Sequence, residues 1–537
     1  MEYSNWSKYF PYEEPREQQV NVINKVLKDF EEDKKYAVIE CGTGVGKSAI
    51  GLTIARYLNN KFTEDPESGA YFLTTQKILQ DQYEKDFSKN GLVSLYSSSN
   101  YQCSKEKKSS CKEIQDLIRQ GSNTKNQEKC SFDCIYKKKK EAFCSSKLSV
   151  TNFSYFLTEK NYNGKTPRKK VLIIDEAHNL ENELSRFIEI TVSQHFSENV
   201  LKIKMPELKT QFQAFNWIKS VYLPELRVIA VNLKNKLQSL GITSQKLFEL
   251  KALHHKVQLI DSHLVKINQF IEIYEKDNWV FEVNQTEKKG LVKLVFKPIE
   301  VSRYSHDYLL DHADFIIFMS ATIISQDGFC ELIGIDTNKT SFVKVPSPFD
   351  PVKRPIVFAN AGSMSANNID ASLPNMIKLL KEIIEQHRGQ KGIIHTHNIR
   401  IAEHIRKSIR NKRLKIAYGS NREKILEQHC KTRSDTILVS PSMSEGVDLK
   451  GDLSKFQVIC KVPYPYLGDK VCRKKMHKWK WWYDTQTIRT IVQSVGRSIR
   501  NEKDEAITYI LDSDWKKIKY KCRDMFPEDF FDSYCEL

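Results

Sequence analysis

Glycine and proline are scarce in this chain, 20 and 16 residues among 537. Together they fall well short of the usual share of about 12%, which leaves few obligatory breaks and leans towards a helix-rich architecture. Long apolar runs are missing too: the longest, such as Val171–Ile174 and Phe315–Met319, are strand-sized. A membrane helix needs about 20 such residues, so no membrane partner is expected. The opening Met1-Glu2-Tyr3-Ser4-Asn5-Trp6 has neither a basic start nor an apolar stretch. No secretory signal is therefore expected, and the chain reads as intracellular, cytoplasmic if bacterial or phage-encoded. In a reducing compartment, twelve cysteines do not form a disulfide framework. Acidic residues fall short as well, 67 against 84 basic ones, a formal charge of +17. That balance points to a polyanionic partner, nucleic acid before an anionic membrane.

The excess charge is concentrated. Residues 101–150 hold twelve basic and six acidic side chains, and residues 468–500 hold nine and two. What is plentiful, 40% hydrophobic and 11% aromatic residues, supports packed globular domains, about three or four at this length. Short β-rich runs, each followed by a loop and a helical pattern, occur in two groups. The first comprises Ala37–Glu40, Val171–Ile174 and Phe315–Met319; the second Gly392–Ile394, Thr436–Val439, Phe456–Cys460 and Ala506–Ile510. Such runs read as buried strands of parallel sheets, so two α/β domains are expected. Two segments break the pattern. Residues 101–146 are rich in Cys, Lys and Ser; residues 186–300 show helical spacing at Leu247, Leu250, Leu253, Val257, Leu264, Ile267 and Ile271, then alternate like a hairpin around Lys288-Lys289-Gly290. Both read as insertions into a first domain made of 1–100, 147–185 and 301–350, with 351–537 as the second domain.

Cys41-Gly42-Thr43-Gly44-Val45-Gly46-Lys47-Ser48 lies between a strand run and a helical run, the context of a phosphate-binding loop. Its glycines Gly42, Gly44 and Gly46 let backbone N–H groups, with that of Thr43, curl around phosphates at a helix N-terminus. Lys47 would reach the β- and γ-phosphates and Ser48 would ligand Mg²⁺. Asp175-Glu176-Ala177-His178 ends an apolar strand. There Asp175 would hold Mg²⁺ and Glu176 would polarise the attacking water. Gln493-Ser494-Val495-Gly496-Arg497-Ser498-Ile499-Arg500 places Arg497 and Arg500 on one helix face, suited to a charge-spread transition state on the γ-phosphate.

These elements, with Ser320-Ala321-Thr322, resemble superfamily 2 helicases, and more narrowly the XPD/DinG (Rad3-related) branch. Further matches are Phe10-Pro11-Tyr12 with Arg16 and Gln19, Thr74-Thr75-Gln76, Ser99-Asn100-Tyr101-Gln102-Cys103, Ser347-Pro348-Phe349, Ile394-His395-Thr396, Ser444-Glu445-Gly446-Val447-Asp448 and Lys461-Val462-Pro463-Tyr464-Pro465. The resemblance implies two RecA-like motor domains with ATP between them. Arg16 and Gln19 would lie on the adenine side, Gly446 and Asp448 would join Gln493, Arg497 and Arg500 from the second domain, and Ser320 and Thr322 would couple hydrolysis to motion. His178 would touch Gln493 across the cleft. It also implies an ATP-dependent DNA helicase with 5′→3′ movement on single-stranded DNA, acting at duplex junctions as a monomeric motor. In that picture the 186–300 insertion is an Arch-like domain. The alternative is a translocase or remodeller of RNA, R-loops or protein-bound DNA with little strand separation.

Five cysteines, Cys103, Cys111, Cys130, Cys134 and Cys144, fall within 42 residues. Zinc sites favour tight pairs, and only Cys130 and Cys134 form one; an iron–sulfur cluster tolerates irregular spacing. The resemblance implies a 4Fe–4S cluster on Cys103, Cys111, Cys130 and Cys134, with Cys144 spare. For nucleic-acid contacts, Lys137–Lys140 stands equally as a binding patch or a solvated face. Lys470–Lys480 with Trp479, Trp481 and Trp482 reads as a strand channel or as tryptophans packed in the second core, the latter favoured. Tyr464 and Tyr466 would stack on bases or flank Pro465.

Overall fold

The computed structural model describes residues 5–104, 108–114, 134–164, 166–239, 247–285, 291–443, 449, 451–499 and 503–537. Its strands in chain order are β1 (Tyr36–Cys41), β2 (Ala70–Thr74), β3 (Leu92–Leu95), β4 (Leu148–Asn152), β5 (Val171–Asp175), β6 (Ile190–Ser193), β7 (Trp279–Gln285), β8 (Val292–Pro298), β9 (Phe315–Ser320), β10 (Thr340–Val345), β11 (Ile356–Gly362), β12 (Gly392–His395), β13 (Leu414–Ile416), β14 (Ile437–Ser440), β15 (Phe456–Ile459), β16 (Ile507–Asp512) and β17 (Tyr534–Glu536).

Two seven-stranded sheets result, ordered β10-β1-β9-β5-β2-β4-β3 and β13-β14-β12-β15-β16-β11-β17. Every pairing in them is parallel. β1 and β5 are buried along their whole length, as a parallel sheet covered on both faces requires. The order puts β1, β9 and β5 side by side, and register pairs Glu40 with Ser320 and Asp175 with Met319. The loops after three strands far apart in sequence therefore leave the sheet at one edge, where α/β proteins bind ligands.

β7 pairs antiparallel with β8, the pairing the expected hairpin requires, and β6 completes a three-stranded antiparallel sheet; the turn at Lys288-Lys289-Gly290 lies outside the described residues. The Leu247–Ile273 pattern is one long helix, antiparallel-packed on the helix Leu223–Ser239. Phe270 meets both Trp279 (4.9 Å) and Phe296 (5.0 Å), and this cluster is continuous with one face of the first sheet. The insertion thus shares a core with the first domain.

The basic helix Lys470–Lys478 of the second domain lies against the first. Lys470 and Lys474 donate to the carbonyls of Phe281 and Trp279, and Lys478 pairs with Glu300. Lys475 pairs with Glu181 at 2.5 Å, their side chains only 4% and 7% exposed. Trp479 Nε1 donates to Glu331 (2.7 Å), and Trp479 and Trp482 cluster with Leu332. These tryptophans pack at the junction of the two domains, because Leu332 and Glu331 arrive from the helix Gln326–Ile333 of the first. Four of the lysines of Lys470–Lys480 are thus bound to first-domain acceptors, in keeping with the packed reading favoured for this segment, although the tryptophans pack at the domain junction rather than in the second core. Among the described residues no helix is long and apolar enough to cross a membrane.

Candidate active site: the cleft between the two sheets

The loop after β1 turns through two left-handed glycines, Gly44 (φ 90°) and Gly46 (φ 88°), into the helix Lys47–Lys61. That backbone aims successive N–H groups into one concavity. It is clamped from behind: Gly42 N donates to Val345 O (3.0 Å) and Ser347 Oγ to Thr43 O (3.2 Å). A Cβ on Gly42 would lie 2.5 Å from Ser347 N, so no larger residue fits. Arg16 donates to Gly44 O (2.7 Å) and Gln19 Nε2 to Val45 O (2.9 Å), while Gln19 Oε1 accepts from Arg16 N (2.9 Å). Lys47 Nζ rests on Cys41 O at 3.3 Å. Cys41 itself is buried, which pushes its thiol up to about 12.

Asp175 emerges beside this loop, fully buried. Its carboxylate accepts from Glu176 N (2.9 Å) and from the Tyr83 hydroxyl (3.0 Å). Burial first, then the charge of Glu176, hold its pKa above the ordinary carboxylate value. Glu176 sits at φ 51°, strained for a non-glycine residue, and turns its side chain into the cleft. A hard oxygen set of this kind, Asp175 with the Ser48 hydroxyl at a phosphate loop, fits Mg²⁺.

His178 spans the two domains. Its Nδ1 lies 2.8 Å from Ser320 Oγ and its Nε2 lies 2.7 Å from Gln493 Nε2. An amide NH₂ can only donate, so Nε2 is the acceptor and Nδ1–H donates to Ser320. Gln493 also donates to Thr322 Oγ1 (3.1 Å), and Thr322 N donates to Ser320 Oγ (3.0 Å). Burial pushes His178 down to about 3, so it is neutral near pH 7.

One cleft is lined by Gly42, Thr43, Lys47 and Glu176 of the first domain and by Gln493 and Arg497 of the second. Arg500 and Asp448, with Gly446, lie outside the described residues. Arg16 and Gln19 do not line this cleft; they reach it through the loop carbonyls.

Three residues escaped the motif reading. Tyr83 orients Asp175. Glu181, one turn beyond the acidic box, holds Lys475. Arg489, buried and one helical turn before Gln493, donates to Thr322 O (3.1 Å), Ile323 O (3.4 Å) and His178 O (3.5 Å). The i, i+4 spacing of Arg489 and Gln493 on one helix face was the available signal.

The cysteine segment is described in part. Cys103 N donates to Ser109 O and Cys111 N to Tyr101 O, pairing the backbone around both cysteines. Cys134 caps the helix Ile135–Ser145, and the rings of Tyr101 and Tyr136 meet at 5.5 Å. The three segments therefore converge, and thiolates are the donors a cluster uses. Among the described residues, however, no group of three or more His, Cys, Asp or Glu side chains is placed to hold a metal ion, and Cys130 lies outside them. Cys144 packs against the first-domain core and its thiol is raised by burial. None of the described cysteines forms a disulfide. In the Lys137–Lys140 run, Lys139 pairs with Glu84 and Lys140 with Glu159. Tyr464 stacks on Tyr483 (5.7 Å, 11°), whereas Tyr466 is 80% exposed.

Gln493 lies on the helix Lys480–Val495, but Arg497 follows in the turn beyond its end, so the expected helix face shared by Arg497 and Arg500 does not extend to Arg497. Two parallel-sheet domains with a phosphate loop, an acidic box, and Gln493 and Arg497 opposite them around one cleft define a two-domain P-loop motor of the helicase type. Sequence comparison agrees: the helicase C-terminal domain family matches residues 382–530, and the type III restriction enzyme res subunit family matches residues 12–209. A probable ATP-dependent helicase of Methanocaldococcus jannaschii is 23% identical across 96% of this chain and 94% of its own length. The ATP-dependent DNA helicase DinG of Photobacterium profundum is 25% identical over 44% of this chain and 36% of its own. A solved XPD helicase shares the fold with TM-score 0.63 at 16% identity, covering 98% of this chain and all of that one. An XPD structure from S. tokodaii does so at TM-score 0.56 and 14% identity, over 97% of this chain and all of that one. In sequence and in fold the chain is similar to helicases of the XPD/DinG type.

Proposed function

We propose that the chain is an ATP-driven DNA helicase that moves on single-stranded DNA and opens duplexes. The observation that carries this reading is the His178 bridge, which joins the acidic box to Ser320 on one side and Gln493 on the other. A state of the nucleotide felt at Glu176 is thereby passed to the second domain.

In this reading Lys47 holds the β- and γ-phosphates, and Arg497 with Arg500 neutralises charge spreading over the γ-phosphoryl oxygens. Glu176 orients a water that attacks the γ-phosphorus; the bond to the β–γ bridging oxygen breaks, releasing ADP and phosphate. Ser48 and Asp175 would hold Mg²⁺, which would supply charge neutralisation at the phosphates. Arg16 and Gln19 act on the nucleotide by fixing the loop, and Asp448 contributes from the second domain. We further assign Cys103, Cys111, Cys130 and Cys134 to a 4Fe–4S cluster, residues 186–300 to an Arch-like domain, and 5′→3′ polarity to a monomeric motor. These rest on the likeness to XPD/DinG-type helicases and on cysteine spacing.

Unwinding of 5′- and 3′-tailed DNA and RNA duplexes, with iron and zinc analysis of the same preparation, tests the whole reading. The 5′-tailed DNA duplex should open, with about four irons per chain. Opening of RNA-tailed duplexes alone would transfer the assignment to an RNA or R-loop remodeller. Lys47→Ala should abolish ATP turnover and leave single-strand binding largely intact.

A further inference from the structure

The turn that carries Arg497 lies beyond the helix Lys480–Val495, where helical hydrogen bonds no longer fix the backbone. Gly496 N still donates to Val492 O (3.0 Å), but Arg497 N reaches only Ser494 O, at 3.3 Å. The last carbonyls of a helix have no partner within it and need one from outside. For Val495 O that partner is a side chain no motif above employs.

Gln457 lies inside β15, a strand paired on one side with β12 and on the other with β16. Its neighbours Phe456, Val458 and Ile459 are apolar, as a strand buried on both faces demands, yet Gln457 is itself only 1% exposed. A buried amide is costly unless its polar atoms are bonded. Here Nε2 donates to Val495 O (2.7 Å) and to Thr508 Oγ1 (2.8 Å), and Oε1 accepts from the Ser498 hydroxyl at 3.3 Å. Ser498 is fully buried and also reaches Ser454 Oγ at 2.7 Å. One amide thus holds the chain just before Arg497 and just after it. The turn so held faces the phosphate loop, since a Cβ on Gly496 would lie 3.7 Å from Thr43 Oγ1.

We propose that Gln457 is a positioning residue for Arg497, holding its turn so that the guanidinium meets the γ-phosphoryl group as charge spreads in the transition state. A leucine would fill much the same volume in the strand; what the amide adds is the hold on both sides of Arg497. The inference rests on Arg497 serving ATP hydrolysis.

Gln457→Leu keeps the volume and removes the amide. In steady-state hydrolysis by the full chain it should lower kcat about 30-fold, because a shift of about 1 Å near a reacting centre costs up to about 100-fold. The KM for ATP should stay within about threefold of wild type. Fluorescent ADP should bind as before, whereas the complex with ADP and aluminium fluoride, which mimics the phosphoryl group in transfer, should weaken by the same factor as kcat. A side chain that merely supports the core would weaken both complexes alike. Ser498→Ala removes the bond on the far side of Arg497; it should show the same split more weakly and serves if Gln457→Leu fails to fold. On an Arg497→Ala background, Gln457→Leu should lower kcat by less than a further twofold or so, about the limit for two changes acting through one group. A wild-type kcat in the folded variants, equal weakening of both complexes, or an undiminished loss on the Arg497→Ala background overturns the proposal. Wild-type turnover by Arg497→Ala alone would instead overturn the role of Arg497 beneath it.

Discussion

Replacing Arg489 by alanine removes three donors from the one point where the second domain grips the carbonyls of Thr322, Ile323 and His178. Hydrogen bonds from a charged group contribute about 1.5–3 kcal/mol each. Two of these three are long, and the buried guanidinium carries a desolvation cost of several kcal/mol. A net loss of about 3 kcal/mol in the closed arrangement is the reasonable balance, about 150-fold in its population. None of these three hydrogen bonds reaches the phosphate loop, so nucleotide binding by the first domain should persist. We therefore expect Arg489→Ala to bind a fluorescent ATP analogue within about threefold of wild type while DNA-stimulated turnover falls about 100-fold. Arg489→Lys, which keeps the charge and loses the fork, should fall between. Turnover within twofold of wild type would show that the carbonyl contacts are incidental and that the Lys475–Glu181 and Trp479–Glu331 contacts suffice for closure.

Lys475→Met leaves Glu181 buried without a partner and should destabilise the chain by about 3–5 kcal/mol in urea unfolding. The double variant Lys475→Met, Glu181→Leu should recover most of that loss, and no recovery would count against the pairing. Burial pushes His178 down to about 3 and His263 and His397 down to about 4. Their folded pKa values lie below the ordinary 6.5. The unfolded chain therefore binds the extra protons as pH falls from 7 to 5, and each should cost about 2 kcal/mol of stability over that window. Denaturant midpoints that do not move between pH 7 and 5 would refute this. Cys103→Ser and Cys134→Ser should lower iron content and unwinding more than ATP hydrolysis, whereas Cys144→Ser should keep its iron. Equal loss from Cys144→Ser would exchange the spare for a ligand.

Much of the fold was legible because parallel strands buried on both faces must be apolar throughout. All seven runs picked out by composition became strands of the two large sheets. Strands such as β3 and β13, short and at sheet edges, gave no comparable signal, since an edge buries less of each residue. The phosphate loop was legible for a local reason: its shape depends on adjacent glycines. The role of Lys470–Lys480 was not. A lysine facing a phosphate and one facing a backbone carbonyl are the same letter, and only the packing of that helix on β7 and Glu181 separates them.

By itself, then, the sequence determined the two parallel-sheet domains, the phosphate loop and the residue types fit for nucleotide chemistry, because periodicity and local backbone geometry are written in neighbouring residues. Tertiary structure alone decided which partners those residues have. It joined His178 to Gln493 and Lys475 to Glu181, and tied Gln19 to the phosphate loop. Such pairings depend on strand order, which brings the ends of β1, β9 and β5 to one edge from segments more than a hundred residues apart.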